Sequence, residues 1–320
     1  MKKFLMIIAI FVVIVAAGIG ITKVVNSGEE EKGNEFTIVT SFYPTYIATK
    51  NIADSIDGVK VVNLTENHSG CLHDYQLTTN DMRKLEGADV FVMNGGGMES
   101  FLEDVVAKYP DLLVIDASKG ITLLEPTESH DHEEEAEEHD HEEEVGDHEH
   151  NHGENAHVWM NPDDYLIQLA NIKEGLMNSD SEHAKEYQEN EAAYAEKVKG
   201  IQEQLKELKA DKNDHKEIII FHEAFAYLAD YLGYEVVYSL DLDDESGLSA
   251  GKIAEVIDEI QEHNIKILFT EREYADSIAT NIADEADAEV YVLSSLTSEE
   301  DSKDAYIVGM QKNIDVLKRV

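Results

Sequence analysis

The sequence predicts an α/β fold of two lobes, each built on a mainly parallel β-sheet flanked by helices and joined by one long rigid helix. Short β-rich segments alternate with helical patterns from Phe36 to Asp116, and a second alternating series runs from Glu217 to Lys318. Such alternation is typical of βα units around parallel sheets. Between the two series, an amphipathic pattern from Ser181 to about Lys209 predicts a helix on the order of 40 Å long, since each residue adds ~1.5 Å.

The individual elements follow from local patterns in chain order. Residues 36–40 alternate and are β-rich, which predicts a strand, and a helical stretch runs from Pro44 to about Ser55. Asp180 or Ser181 can cap the long helix. The remaining predicted strands are 59–64, 89–94, 112–116, 217–221, 235–239, 265–270 and 289–293. The remaining predicted helices are 79–86, 101–109, one that starts near Asn161, 224–232, 249–263, 276–286 and 304–318.

Composition excludes several classes of protein. The 320 residues suggest two compact units, and 25 Lys+Arg against 68 Asp+Glu give a net charge of −43. Nucleic-acid binding is excluded because such a surface repels phosphates, and 42% apolar residues exclude a wholly disordered chain. The single cysteine, Cys71, excludes an internal disulfide and a four-cysteine zinc module. We interpret Cys71 as a small buried residue, with a place close to a metal as the alternative.

The first residues predict export across a membrane. Lys2 and Lys3 precede an uncharged apolar run of 18 residues, Phe4 to Ile21. A run of this length lies at the lower limit of a spanning helix, so we favour an uncleaved anchor on the outer face of the cell membrane. Cleavage at the small residues 16–18 would instead release a secreted protein.

These patterns give a division of the chain into five parts. They are a signal or membrane anchor (1–22), a flexible tether (23–34), an N-terminal metal-binding lobe (35–180), a long linking helix (181–211) and a C-terminal metal-binding lobe (212–320).

An acidic, histidine-rich stretch, residues 128–154, interrupts the first lobe. Seven of the chain's 14 histidines lie between His130 and His152, separated by glutamate runs. With almost no apolar side chains to offset the entropy of ordering, the stretch is predicted to be a mobile loop. We hypothesise that it captures or buffers zinc for a nearby site. A passive solvated insert is the alternative.

Three other histidines occupy positions where ligands bind in α/β proteins. His222 directly follows the strand 217–221, His73 lies in the loop after the second strand, and His157 precedes the helix that starts near Asn161. Ligands bind outside the carboxyl ends of strands in open α/β sheets, and three imidazoles with one further ligand complete a zinc shell. Spacing alone leaves the alternative of ordinary surface histidines open.

Three segments resemble the metal-binding segments of the solute-binding proteins of zinc and manganese ABC importers. They are Gly70–Leu77, Asn155–Pro162 and Phe221–Tyr227. Val39–Pro44 and Asp89–Glu99 resemble that family too, and so do the long central helix and the histidine-rich loop. The resemblance extends from about Phe36 to the C-terminus.

The resemblance implies that His73, His157 and His222 are metal ligands. Manganese-binding members usually have a carboxylate at the third position, so His222 points to Zn²⁺. The family's fourth ligand, an acidic residue after the last strand, has no counterpart in Leu293–Thr297. Water, Glu299, Glu300 or a residue of the acidic loop are the alternatives. Leu72 replaces the family's usual proline, and neither Leu72 nor Cys71 is assigned a metal bond.

The implied function is extracytoplasmic capture of Zn²⁺ in an inter-lobe cleft and its delivery to the membrane permease of an ABC importer. Zinc is then the transported ligand, and the protein is expected to be a monomer without enzymatic activity. A manganese-binding member of the same family and a surface zinc-storage or adhesin protein are the alternatives. The residues His222–Ala226 lack the second histidine of a zinc-peptidase HExxH motif.

Overall fold

A computed structural model describes the chain over residues 35–66, 70, 72, 75–102, 108–127, 154–210, 216–240, 249–272, 275–298 and 302–320. Two four-stranded sheets organise it. Their orders are β2-β1-β3-β4 and β6-β5-β7-β8. The strands are β1 (Phe36–Thr40), β2 (Val59–Asn63), β3 (Val90–Met93), β4 (Leu113–Asp116), β5 (Glu217–Ile220), β6 (Glu235–Ser239), β7 (Ile267–Thr270) and β8 (Glu289–Val292).

Eight α-helices accompany these strands in the part of the chain that the structure describes. They are α1 (Tyr43–Ile52), α2 (Thr79–Glu86), α3 (Pro162–Ser179), α4 (Ala184–Lys206), α5 (Ala224–Leu232), α6 (Ala250–His263), α7 (Thr280–Ala286) and α8 (Ala305–Leu317). We call β1–β4 with α1–α3 the first lobe and β5–β8 with α5–α8 the second lobe. The prediction of two α/β lobes is confirmed, and strands β1, β3 and β4 pair in parallel, as do all neighbours in the second sheet.

The two sheets share a strand order that places ligand positions at their centres. In each sheet the first and third strands in sequence lie side by side, so the chain reverses its winding direction between them. In open α/β sheets, ligands bind at this switch point, outside the carboxyl ends of the strands. In the second sheet the register pairs Ile220 with Phe269. Residues that follow β5 and β7 therefore emerge next to each other.

The central strands are buried because helices cover both faces of the sheets. Ile218, Ile219 and Ile220 of β5 are fully buried, as expected for a parallel sheet whose strands are apolar on both sides. Burial of each such side chain contributes roughly 1.5–3 kcal/mol. This core holds the carboxyl end of β5 in place.

The long helix predicted between the lobes is α4. It packs against α1 and α3 of the first lobe and against α8 of the second. The amide of Asn190 donates to the carbonyls of Ile52 and Asp54 at 3.1 and 2.9 Å, and Lys197 Nζ lies 2.6 Å from Asp304 Oδ1. A 3-10 turn, Ser181–His183, precedes α4, which explains why its α-helical part starts later than predicted.

Two predicted helices differ from the structure at their starts. At the segment 276–286, a π-helical turn over Ala275–Ala279 precedes α7. The segment 101–109 shows a 3-10 helix, Ser100–Leu102, and its residues 103–107 lie outside the described part. The described helices include none that is long and apolar enough to cross a membrane, and the predicted anchor and tether lie outside the described residues.

Candidate metal site

His222 stands at the switch point of the second sheet. It follows β5 by two residues, and the backbone N–H of the intervening Phe221 donates to the carbonyl of Phe269 at 2.9 Å, which extends the β5–β7 pairing past Ile220. The His222 side chain is buried, with 1% of the residue exposed. The sequence prediction that this histidine sits at a strand end therefore agrees with the structure.

His157 lies in a short segment that leads into α3. The following residues form a 3-10 turn, Val158–Met160, and Asn161 then caps α3 by accepting a hydrogen bond from Asp163 N at 2.9 Å. Both the backbone N and the ring Nδ1 of His157 lie within hydrogen-bond distance of Asn155 Oδ1, at 3.0 and 2.8 Å. Only 1% of His157 is exposed.

The structure brings these two histidines together. Their ring centroids lie 5.1 Å apart and the rings are nearly perpendicular, at 84°. The acceptor at Nδ1 of His157 favours the neutral tautomer with the proton on Nδ1 and the lone pair on Nε2. That tautomer is the form in which a histidine uses Nε2 to bind a metal.

Glu271 lies next to the ring of the second histidine. It directly follows β7, and its Oε2 lies 3.1 Å from His222 Nδ1, while Ser295 N donates to Oε1 at 3.3 Å. Burial acts to raise the pKa of Glu271, but the hydrogen bonds from His222 and Ser295, together with the charge of a protonated His222, outweigh it and hold the pKa below its usual value. The carboxylate is therefore anionic and supplies one negative charge directly behind the His222 ring.

The stretch Leu293–Thr297 also lies near these histidines, with backbone and hydroxyl groups. The indole N–H of Trp159 donates to Ser295 O at 2.8 Å, and the hydroxyls of Ser295 and Thr297 lie 3.0 Å apart. Trp159 in turn lies beside His157, with ring centroids 5.1 Å apart. The stretch therefore supports the site without presenting a carboxylate to it.

The third predicted ligand, His73, lies outside the described residues, as do Cys71, residues 128–153, Glu299 and Glu300. Among the residues that the structure describes, no three His, Cys, Asp or Glu side chains form a group that could hold a metal. The described part thus contains two predicted ligands with their supporting acceptors.

A comparison with protein families matches residues 38–320 to the family described as "Zinc-uptake complex component A periplasmic". The chain belongs to this family. Members of the family are substrate-binding components of transporters.

Two curated proteins show the range of metals among relatives. The high-affinity zinc uptake system protein ZnuA of Bacillus subtilis strain 168 is 32% identical over 317 residues, which cover 97% of this chain and 94% of that protein. The iron-binding protein YfeA of Yersinia pestis is 27% identical over 324 residues, which cover 99% of this chain and 97% of that protein.

Two solved structures share the fold. The Zn(II)-bound ZnuA-like domain of Streptococcus pneumoniae AdcA has a TM-score of 0.70 and 25% identity, and covers 89% of this chain and 98% of that one. The Pseudomonas aeruginosa protein FpvC in complex with Mn²⁺ has a TM-score of 0.72 and 22% identity, and the match covers 89% of this chain and 97% of that one. At this identity the similarity shows a shared fold only.

Sequence reasoning missed Asn155 and Glu271. Glu271 carried a usable signal, because it follows the strand 265–270 as directly as His222 follows its own strand. The family resemblance predicts an acidic residue after the last strand, whereas the sheet order sets β7 beside β5. Asn155 belongs to one of the segments that resemble the family, but nothing in its spacing indicates that its side chain contacts His157.

Proposed function

We propose that this chain captures Zn²⁺ outside the cytoplasm and delivers it to the permease of an ABC importer. One observation carries the proposal: His157 and His222 are buried side by side, and each ring has an oxygen acceptor within 3.1 Å of its Nδ1. Two imidazoles with Nε2 as the metal-binding nitrogen form half of a tetrahedral zinc site.

His73 is proposed as the third ligand. It belongs to the stretch between β2 and α2 of the first lobe, so a metal bound to all three histidines would join the two lobes. The fourth position is assigned to water or to one of the acidic residues named above. Three neutral imidazoles leave the Zn²⁺ charge uncompensated, and the anionic Glu271 behind His222 partly balances it.

Zinc is favoured over manganese by the chemistry of the donors. Imidazole suits zinc, whereas carboxylate and water suit manganese. The zinc-uptake relative that matches nearly the whole chain supports the same choice. The iron-binding and manganese-bound relatives make a direct comparison of metals necessary.

Delivery requires the site to open. Because His157 and His222 are each 1% exposed, metal exchange needs movement of the surrounding segments. Metal binding would shift the population of the conformations that the permease recognises.

The remaining parts of the chain have proposed roles as well. We assign residues 1–22 to anchoring on the outer face of the membrane and residues 23–34 to a flexible tether. The protein is proposed to be a monomer whose partners are the permease and the zinc ion.

A titration tests the proposal. The full chain, purified in mild detergent and stripped with a chelator, is titrated with Zn²⁺ by calorimetry. We expect one submicromolar site that is lost in His222→Ala and in His157→Ala. The same substitution at His263, an exposed histidine at the end of α6, is the matched control and should bind like the wild type. Unchanged tight binding in both site variants would locate the metal elsewhere.

The histidine-rich stretch has a separate proposed role as a zinc buffer. Removing residues 128–154 should lower the number of weakly bound zinc ions per chain while the submicromolar site remains. It should also slow uptake at low external zinc in cells. Identical stoichiometry and uptake would leave the stretch as a passive insert.

A further inference from the structure

Asn155 makes an unusual number of contacts for a single polar residue. It is 2% exposed, and its Oδ1 is the oxygen that lies within hydrogen-bond distance of both the backbone N and the ring Nδ1 of His157. An asparagine that only shaped the local turn would need the first of these two contacts, since an Asx turn uses the backbone N–H two residues on. The contact with the ring goes beyond that requirement.

The other end of the same amide reaches the second histidine's segment. Asn155 Nδ2 donates to the carbonyl of Glu223 at 3.0 Å, and Glu223 is the residue that follows His222. One planar amide of fixed dimensions therefore spans from the ring of His157 to the backbone beside His222.

The backbone of Asn155 is fixed as well. Its carbonyl accepts a hydrogen bond from the hydroxyl of Tyr227 on α5 at 2.6 Å, and its N–H donates to the carbonyl of Leu124 at 2.9 Å in an isolated antiparallel bridge. Tyr227 OH also accepts from Leu124 N at 3.1 Å. The first lobe adds a contact from Asn94 Nδ2 to the carbonyl of Ala156 at 2.9 Å. The amide of Asn155 therefore has little freedom to turn away.

We propose that Asn155 is a positioning residue for metal binding: its side-chain oxygen orients the His157 ring with Nε2 toward the metal, and the bond from its amide nitrogen to Glu223 O helps to hold that oxygen in place. This inference rests on the proposed function, because it assigns Asn155 a task only if the two histidines bind the metal. Loss of such a supporting acceptor typically costs 10–100-fold in metal affinity.

Two substitutions separate this role from a structural one. Asn155→Ala removes the acceptor and the donor, whereas Asn155→Asp keeps an acceptor oxygen for His157 and loses the donor to Glu223. We expect roughly a 10–100-fold weaker zinc site in the alanine variant. In the aspartate variant, affinity should recover to within several-fold of the wild type. Cobalt(II) absorption of the alanine variant should also change in shape, because the ring that ligates the metal is no longer held.

Asn171→Ala is the matched control. Asn171 on α3 also donates two hydrogen bonds from its amide, to the carbonyls of Ala117 and Lys119 at 2.7 and 2.9 Å, and touches neither histidine. It should bind zinc like the wild type. Thermal unfolding of every metal-free variant reports stability separately from affinity, which is measured well below the unfolding temperature.

Each result decides the inference. An alanine variant within about two-fold of the wild type, an aspartate variant as weak as the alanine variant, or an equal loss in Asn171→Ala would overturn it. A wild type that binds no zinc, or site-histidine variants that bind normally, would instead overturn the proposed function and the inference with it.

Discussion

The ring of Trp159 lies 5.1 Å from the ring of His157, at an interplanar angle of 55°. Trp159 is the single tryptophan of the chain, and it is fully buried. It contacts both lobes, through the edge of Phe42 after β1 and through Ser295 O after β8. The tryptophan emission of this chain therefore comes from one indole, which lies beside the candidate metal site.

We expect zinc binding to change the intensity or wavelength of Trp159 emission, with saturation at one ion per chain. The reason is that a cation at His157 alters the field at an adjacent indole and restrains its motion. Titration of the metal-free protein, followed by reversal with EDTA, measures the change. The His157→Ala variant should show none. Tight binding by calorimetry with constant emission would place the metal away from His157.

Replacing Glu271 by glutamine should weaken zinc binding by about 10–100-fold. Glutamine keeps the size and an oxygen for His222 Nδ1, but it removes the negative charge that partly balances the bound cation. Glu285→Gln on α7 removes the same charge from an exposed position and serves as the control. Competition against a chelator of known affinity gives the constants. Equal constants for Glu271→Gln and the wild type would show that the carboxylate does not act on the site.

The choice of metal should depend on residue 222. A glutamate there would supply a carboxylate, which suits manganese better than zinc. Because this new carboxylate would lie beside Glu271, the double variant His222→Glu/Glu271→Gln avoids repulsion between them. We expect the ratio of zinc to manganese affinity to fall at least about ten-fold, measured by competition between the two metals. The substitution His263→Glu controls for added charge. An unchanged ratio would contradict the assignment of His222 as a ligand.

The stability of the first lobe should depend on Glu99. This carboxyl group is buried at the switch point of the first sheet, where it accepts hydrogen bonds from Asn94 N and Gly95 N at 2.6 and 3.1 Å. Burial, and to a smaller extent the charge of Asp116, raise the pKa of Glu99 to about 7, although hydrogen bonds from Ser41 and the two backbone groups act against them. Glu99 therefore binds a proton more tightly in the folded chain than in the unfolded chain.

The sign of the effect follows from that difference. The stabilising contribution of protonated Glu99 is fully present below the unfolded pKa of ~4.5 and is lost as the pH rises through about 7. Relative to Glu99→Gln, the wild type should lose roughly 2–3 kcal/mol of unfolding free energy between pH 5 and 8, at about 1.36 kcal/mol per pKa unit. Urea unfolding in EDTA measures it. Glu174→Gln, at an exposed position of α3, is the control, and parallel curves for Glu99→Gln and the wild type would contradict the prediction.

The sequence predicts the parts of this structure that depend on local patterns. The apolar run before His222 identifies a buried strand, and a strand in a parallel sheet delivers the next side chain to the ligand edge. The helical pattern from Ser181 likewise predicts α4, although the 3-10 turn at its start and the last turn depend on local geometry. These features require only periodicity and chain order.

Contacts across the sheets are harder to predict. Glu271 reaches His222 because β5 and β7 are neighbours with Ile220 opposite Phe269, and register between strands 47 residues apart is set by packing of the whole lobe. The bond from Asn155 to Glu223 joins segments 68 positions apart. The resemblance to metal-binding proteins predicts that His157 lies close to His222, whereas spacing alone leaves the alternative of surface histidines open.

The antiparallel bridge between Leu124 and Asn155 pins both ends of a 30-residue span at one point on the protein. The free energy of closing a span rises only with the logarithm of its length, so doubling it costs about 0.6 kcal/mol. Mutations that lengthen or shorten this span, or change its sequence, should therefore cost little folding free energy. The zinc-buffering role proposed for residues 128–154 could therefore evolve, or be engineered, independently of the rest of the chain.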